Sequence, residues 1–269
     1  MKAIESFDGN KIYYSEEGHG DICLLFIHGL GANRKVWKHQ KTLSSKYKLV
    51  FIDLAGHGKS DRTREVYTMQ SFAKDVKAVV NKLIFRKLFL IGWSMGGAVM
   101  LEAEKLVSDH VIGLIGVDTL NTISSLGPSV YIKMDATQIT QFLKSFSENF
   151  TESMTNLYKS FIPENTAVSD VTNLLSDIQD LDPRAMLSTF EELFKWDFRD
   201  LINEIKTPVR CIMAGEYYDT GELREEYEKH FKAVFMENVK HMLFWEEPSK
   251  FNNLLEEQIQ LILGSKPNF

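Results

Sequence analysis

Cysteine is scarce in this 269-residue chain: it occurs only at Cys23 and Cys211. Each sits in an apolar run that reads as a buried strand, which argues against a disulfide framework or a cysteine-rich zinc site. Six prolines and 16 glycines are too few for a collagen-like or Pro/Gly-rich disordered chain. Basic charge is not in excess either, with 31 Lys+Arg against 37 Asp+Glu and a formal net charge of −6. A dedicated nucleic-acid binder needs a basic surface to displace counterions from phosphate, so that class is disfavoured. The longest apolar runs, such as Ile22 to Ile27 and Leu88 to Ile91, are far too short to span a bilayer. The opening MKAIESFDGNKIYYSEEG lacks a charged region followed by a long apolar stretch, so no secretory leader and a cytoplasmic location are expected.

Cofactor signatures are also missing. No Gly-x-Gly-x-x-Gly opens a helix, and neither His-x-x-x-His nor paired cysteines offer metal ligands. Gly58-Lys59-Ser60 follows a strand as a phosphate-binding loop would, but such a loop needs a glycine where this chain has Asp53. No cofactor and no metal are expected.

What is present is an alternation of short apolar runs with longer helical patterns. The runs are Ile22–His28, Lys48–Asp53, Lys87–Gly92, Val111–Asp118, Pro208–Ala214 and Ala233–Glu237. Several are apolar almost throughout, as strands covered on both faces must be. Helical patterns such as Ser71–Leu83 and Met95–Val107 fall between them, and this βαβ rhythm predicts an α/β fold with a mostly parallel sheet. At the N-terminus, Ile4–Phe7 and Lys11–Ser15 flank Asp8-Gly9-Asn10, a hairpin signal for an antiparallel edge.

The rhythm stops between residues 121 and 206, where the patterns are helical: Thr137–Phe150, Val168–Gln179 and Pro183–Phe194. Asp182-Pro183 reads as an N-cap followed by a first helical residue. The economical organisation is an α/β core of residues 1–120 and 207–269 interrupted by a helical insertion of residues 121–206. That insertion is rich in Phe and Met (Met134, Phe142, Phe146, Phe150, Met154, Phe161, Met186, Phe190, Phe194). Most of these side chains are expected to form its core, with a minority free to line a pocket.

The strongest local signal is Gly92-Trp93-Ser94-Met95-Gly96-Gly97, a Gly-x-Ser-x-Gly between an apolar strand and a helical pattern. Chance gives ~0.07 such matches in a chain of this composition, so the setting carries the meaning. A nucleophilic serine lifted clear of a strand needs a tight, strained turn, and small residues two positions either side let neighbouring backbone approach. The following helix directs its N-terminal N–H groups at the place where negative charge develops.

Together with Ile27-His28-Gly29-Leu30-Gly31 after one strand and Asp53-Leu54-Ala55-Gly56-His57-Gly58-Lys59-Ser60 after the next, this segment resembles the α/β-hydrolase superfamily. His241, followed by Phe244-Trp245-Glu246-Glu247-Pro248, is similar to that family's histidine loop and last helix, so the resemblance runs from about Ile4 to Leu263. The insertion falls where the family carries its cap.

The resemblance implies a catalytic serine, acid and histidine in that chain order, and the chemistry asks for the same set. A serine hydroxyl needs a base, and histidine titrates near working pH. Of the seven histidines, His241 follows a strand in a short loop at the sheet's carboxyl end and is the expected base. His28 reads as a residue that orients its loop, and His57 as a structural side chain in a tight turn. The resemblance also implies an oxyanion hole built from the backbone N–H groups of Leu30 and Met95. For the acid, Gly215-Glu216-Tyr217-Tyr218-Asp219 places tyrosine where the family's Gly-x-x-Asp has aspartate. Asp219 is therefore the expected acid after a one-residue loop extension. Asp118, at the end of the preceding strand, is the alternative, and Glu216 a further one.

The expected function is that of a serine hydrolase acting through Ser94, Asp219 and His241 on an ester or related acyl bond of a small, apolar substrate. A non-hydrolytic small-ligand receptor on the same scaffold is the competing expectation, since fold alone does not guarantee turnover.

Overall fold

A computed structural model describes residues 1–119, 135–164, 166–197, 201, 203–215 and 221–264. In it the apolar runs become neighbouring strands of a single sheet, the last of them at its edge. The strands are β1 (Lys2–Glu5), β2 (Lys11–Glu17), β3 (Ile22–Ile27), β4 (Lys48–Ile52), β5 (Lys87–Trp93), β6 (Val111–Val117), β7 (Val209–Ala214) and β8 (Val234–Met236). They lie in the order β1-β2-β4-β3-β5-β6-β7-β8. From β4 to β8 every pairing is parallel. β1 and β2 add an antiparallel edge, as the hairpin signal predicted, with Ser6 N–H donating to the Asn10 carbonyl across the turn at 2.8 Å. Cys23 to Ile27 of β3 and Leu88 to Ile91 of β5 are fully buried, which requires cover on both faces of the sheet. Each such aliphatic or aromatic side chain contributes about 1.5–3 kcal/mol relative to exposure.

Helices α1 (Met69–Val80) and α2 (Met95–Val107) pack on each other and on the sheet, α2 lying against β5 and β6. The Thr68 hydroxyl accepts from Ser71 N–H and the Ser71 hydroxyl accepts from Thr68 N–H, a reciprocal cap that fixes where α1 begins. A 3₁₀-helical segment, Arg34–Ser45, and the C-terminal helix Pro248–Gly264 pack together, the latter reaching β6 and β7.

Among the described residues, α3 (Ala136–Glu148), α4 (Phe150–Phe161), α5 (Val168–Gln179) and α6 (Pro183–Lys195) stand between β6 and β7. Asp182 caps α6 through a bond from Arg184 N–H, with Pro183 in the first turn as expected. α4 is an element the sequence patterns did not separate from α3. Asn149 both ends α3 and opens α4 at φ −130° and ψ 44°, so the chain bends while its apolar pattern continues. Phe142, Phe146, Phe150, Phe190 and Phe194 gather into one aromatic cluster, with Phe146 and Phe190 centroids 4.9 Å apart. Most of the insertion's Phe and Met side chains therefore build its own core; Met134 lies outside the described residues. Among the described residues no helix is long and apolar enough to cross a membrane.

Candidate active site

β5 ends at Trp93 and α2 begins at Met95, leaving Ser94 alone on the turn between them. Its φ of 53° and ψ of −125° lie where an L-residue rarely settles, a strain of about 1–3 kcal/mol that the surroundings must hold. They do so through the backbone. Ser94 N–H donates to the Val117 carbonyl at 3.1 Å, and the Ser94 carbonyl accepts from Gly97 N–H at 2.9 Å and from the Thr119 hydroxyl. The flanking glycines have a steric cause. A side chain on Gly92 would collide with the Gly96 carbonyl, and one on Gly96 with the carbonyls of Ile27 and His28. Met95 is the first residue of α2, so its N–H has no partner within the helix and points out of the helix's positive end.

Trp93 pairs in register with Val117, so Asp118 leaves β6 level with Ser94 leaving β5. Asp118 also takes a positive φ, 41°. Its N–H donates to the Ile212 carbonyl at 2.9 Å, and its Oδ1 accepts from Ala214 N–H at 3.1 Å, tying it to β7. Its Oδ2 is 2.6 Å from His241 Nδ1, and the carboxylate is fully buried. A carboxylate only accepts, so Nδ1 carries a proton in this pair. The His241 carbonyl accepts from the Trp93 indole N–H at 3.0 Å, and the two rings lie 5.1 Å apart. Phe161, the last residue of α4, also packs on the imidazole, with centroids 4.6 Å apart.

The loop after β3 lies directly against the serine: a methyl on Gly29 would stand 3.0 Å from Ser94 Cβ. His28 Nε2 accepts from Leu54 N–H at 3.1 Å, which makes Nδ1 the protonated nitrogen; it donates to the Gly29 carbonyl at 2.8 Å. Burial holds this imidazole neutral, with its pKa lowered to about 4. Ala32 N–H reaches the same carbonyl at 3.2 Å. Because the Gly29–Leu30 peptide is trans, fixing that carbonyl turns the Leu30 N–H the opposite way. His28 thus orients its loop, as read from the sequence. His57 bonds the Ala55 carbonyl at 3.0 Å and packs 5.0 Å from the His28 ring. Burial, followed by the charge of His28, lowers its pKa to about 3.

Asp53, where a phosphate loop would need glycine, is buried and accepts from Arg34 N–H, the Arg34 guanidinium and Lys59 N–H. It organises the 53–60 turn. The buried, free Cys23 and Cys211 thiols are pushed up to about 12 by burial, and among the described residues no cluster suits a metal ion. A cleft of about 630 Å³ lies between the 3₁₀ segment and α5, but neither Ser94 nor His241 lines it. Lys35 pairs with Asp177 there at 2.7 Å, and Lys38 with Asp170.

The described residues thus bring Ser94, Met95, the Leu30 loop and His241 to one end of the sheet. Asp219 and Glu216 lie outside the described residues, and the carboxylate found on His241 is that of Asp118, the alternative acid. The sequence reading missed Trp93 Nε1, Thr119, Tyr158 and Phe161 as supports of the site. Their partners are 25 to 148 residues away along the chain, and only Trp93 carried a signal, by standing inside the serine motif.

Known proteins resemble this chain in sequence and in fold. The chain is 26% identical over 259 residues to the AB hydrolase superfamily protein YisY of Bacillus subtilis, covering 91% of this chain and 94% of that one. It is 28% identical over 208 residues to a pimeloyl acyl-carrier-protein methyl ester esterase of Wigglesworthia glossinidia brevipalpis, covering 74% and 76%. Its fold matches that of the esterase EaEST from Exiguobacterium antarcticum with a TM-score of 0.83 at 20% identity, over 96% of this chain and 98% of that one. The family model described as alpha/beta hydrolase fold matches residues 22–169. By this match and by the sheet order above, the chain belongs to the α/β-hydrolase family.

Proposed function

We propose that this chain is a serine hydrolase that cleaves a carboxylic ester or related acyl bond of a small, apolar substrate through an acyl-enzyme. The observation that carries the reading is Ser94 held at positive φ on the same sheet end as the Asp118–His241 pair. In this mechanism His241 Nε2 takes the Ser94 Oγ proton as Oγ bonds the substrate carbonyl carbon. The N–H groups of Leu30 and Met95 receive the developing oxyanion. Collapse breaks the bond to the leaving alcohol, which takes the proton from His241. A water then repeats the sequence: its proton goes to His241, its oxygen to the acyl carbon, and the Ser94 oxygen leaves with that proton. Asp118 keeps the imidazole in the productive tautomer and stabilises its cation.

Support comes from esterase names among the relatives and from the family. In this reading residues 1–120 and 207–269 are the catalytic core and 121–206 the cap. The receptor alternative, which shares this fold, gains no support from the Asp118 carboxylate on His241, a pair a hydrolase needs and a receptor does not.

Turnover of p-nitrophenyl esters is the test. Wild type should hydrolyse short esters, and Ser94→Ala or His241→Ala should lose about 10³-fold or more in kcat. A wild type that binds such ligands saturably without turning any over would favour the receptor.

A further inference from the structure

The Tyr158 hydroxyl, on α4, donates to the Leu30 carbonyl at 2.7 Å. We propose that this bond makes Tyr158 a positioning residue for the oxyanion hole, the point at which the inserted helices aim the Leu30 N–H. The inference rests on the acyl-transfer reading above and deepens it.

The argument is one of peptide planes. Leu30 N–H belongs to the peptide that contains the Gly29 carbonyl; the Leu30 carbonyl belongs to the next one. Only the φ and ψ of Leu30 separate the two planes. His28 and Ala32 hold the first plane from the core side. Tyr158 holds the second from α4, so the rotations that would swing the N–H away from Ser94 are closed at both ends. The phenol is almost fully buried, and burial raises its pKa, so it stays protonated and donates.

The contact is built from both sides. Gly31 takes a φ of +74°, which a side chain would strain, and a methyl there would meet the Met154 methyl, one turn before Tyr158 on the same helix, and stand 3.3 Å from the Tyr158 ring. One turn after Tyr158, Phe161 lies on the His241 imidazole, and the Tyr158 and Phe161 rings meet edge to face 5.9 Å apart. α4 therefore touches the oxyanion loop with one residue and the base with another. Packing alone would be met by phenylalanine at 158; the hydroxyl is what the loop carbonyl requires.

Tyr158→Phe separates the two roles because it keeps the ring. With p-nitrophenyl butyrate, kcat should fall about 10- to 100-fold while KM stays within about twofold. Affinity for a trifluoromethyl ketone, which Ser94 converts to a tetrahedral oxyanion, should fall by the same factor. Affinity for the parent methyl ketone, which stays trigonal, should not change, nor should the thermal midpoint by more than a few degrees. Unchanged kcat and unchanged trifluoromethyl ketone affinity overturn the proposal. So does a Tyr158→Phe chain that fails to fold, because the hydroxyl would then serve the fold and not the aim of the loop. A wild type that neither hydrolyses the ester nor captures the trifluoromethyl ketone overturns the acyl-transfer reading itself, and the role of Tyr158 with it.

Discussion

Two residues at adjacent strand ends, the nucleophile and the acid of the proposed mechanism, sit in backbone conformations that L-residues avoid: Ser94 at φ 53° and Asp118 at φ 41°. Each turns sharply out of its strand, and the Asp118 carboxylate meets the His241 imidazole. Hydrogen bonds to the Val117 carbonyl and from Gly97 and Thr119 around Ser94, and to the Ile212 carbonyl and from Ala214 around Asp118, hold the strain. Asp118→Asn should lower kcat for ester hydrolysis by about 10⁴-fold, because an amide facing Nδ1 favours the wrong tautomer. Asp219→Asn should stay within a few-fold of wild type in the same steady-state assay. The reverse ranking would assign the acid to Asp219. The proposed serine and histidine stand out in the sequence because each sits in a motif with a local steric or positional reason. The carboxylate on His241 does not: Asp118 reads there only as the alternative to Asp219, which lies outside the described residues. Which strand-end carboxylate reaches the imidazole depends on the register of β6 against β7, where Val117 stands opposite Ile212, and that register is a long-range fact.

At the scale of elements, strands buried on both faces announced themselves as continuous apolar runs, and all six lie within a residue or so of their expected bounds. Helices α2 and α5 match their predicted spans, Met95–Val107 and Val168–Gln179. α4 was hidden because it buries only Phe150, Met154 and Tyr158, a stripe too thin to stand out beside the aromatic pattern of α3. Yet α4 is the helix that touches the loop and the base. Its footing is the cluster around Phe146, which is 5% exposed and packs against Phe142, Phe150 and Phe190. Phe146→Ala should cost about 3 kcal/mol by urea denaturation. Because α4 stands on this cluster, kcat should fall as well. A stable variant would mean the cluster is loosely packed.

Over the whole molecule, acid should unfold the protein from the inside. His28 and His57 are buried and neutral, with pKa values lowered to about 4 and about 3 from an ordinary 6.5. Below pH 6.5 the unfolded chain takes up protons that these folded side chains refuse. Stability is therefore complete above that pH and is lost toward pH 4 at about 1.4 kcal/mol per unit for each histidine. His57→Gln should shrink the stability loss between pH 7 and pH 5 by about 2 kcal/mol, read from urea midpoints at the two pH values. An unchanged loss would mean His57 is protonated in the folded state. One of these imidazoles, His28, also holds the Gly29 carbonyl beside Leu30, and His57 packs against it. The central claim is that Ser94 attacks the acyl carbon, with His241 as its base. Intact-protein and peptide mass spectrometry after brief exposure to a fluorophosphonate tests it most directly. The account predicts one adduct, on Ser94, formed far more slowly in His241→Ala; an adduct on another residue, or none in an enzyme that still hydrolyses esters, would contradict it.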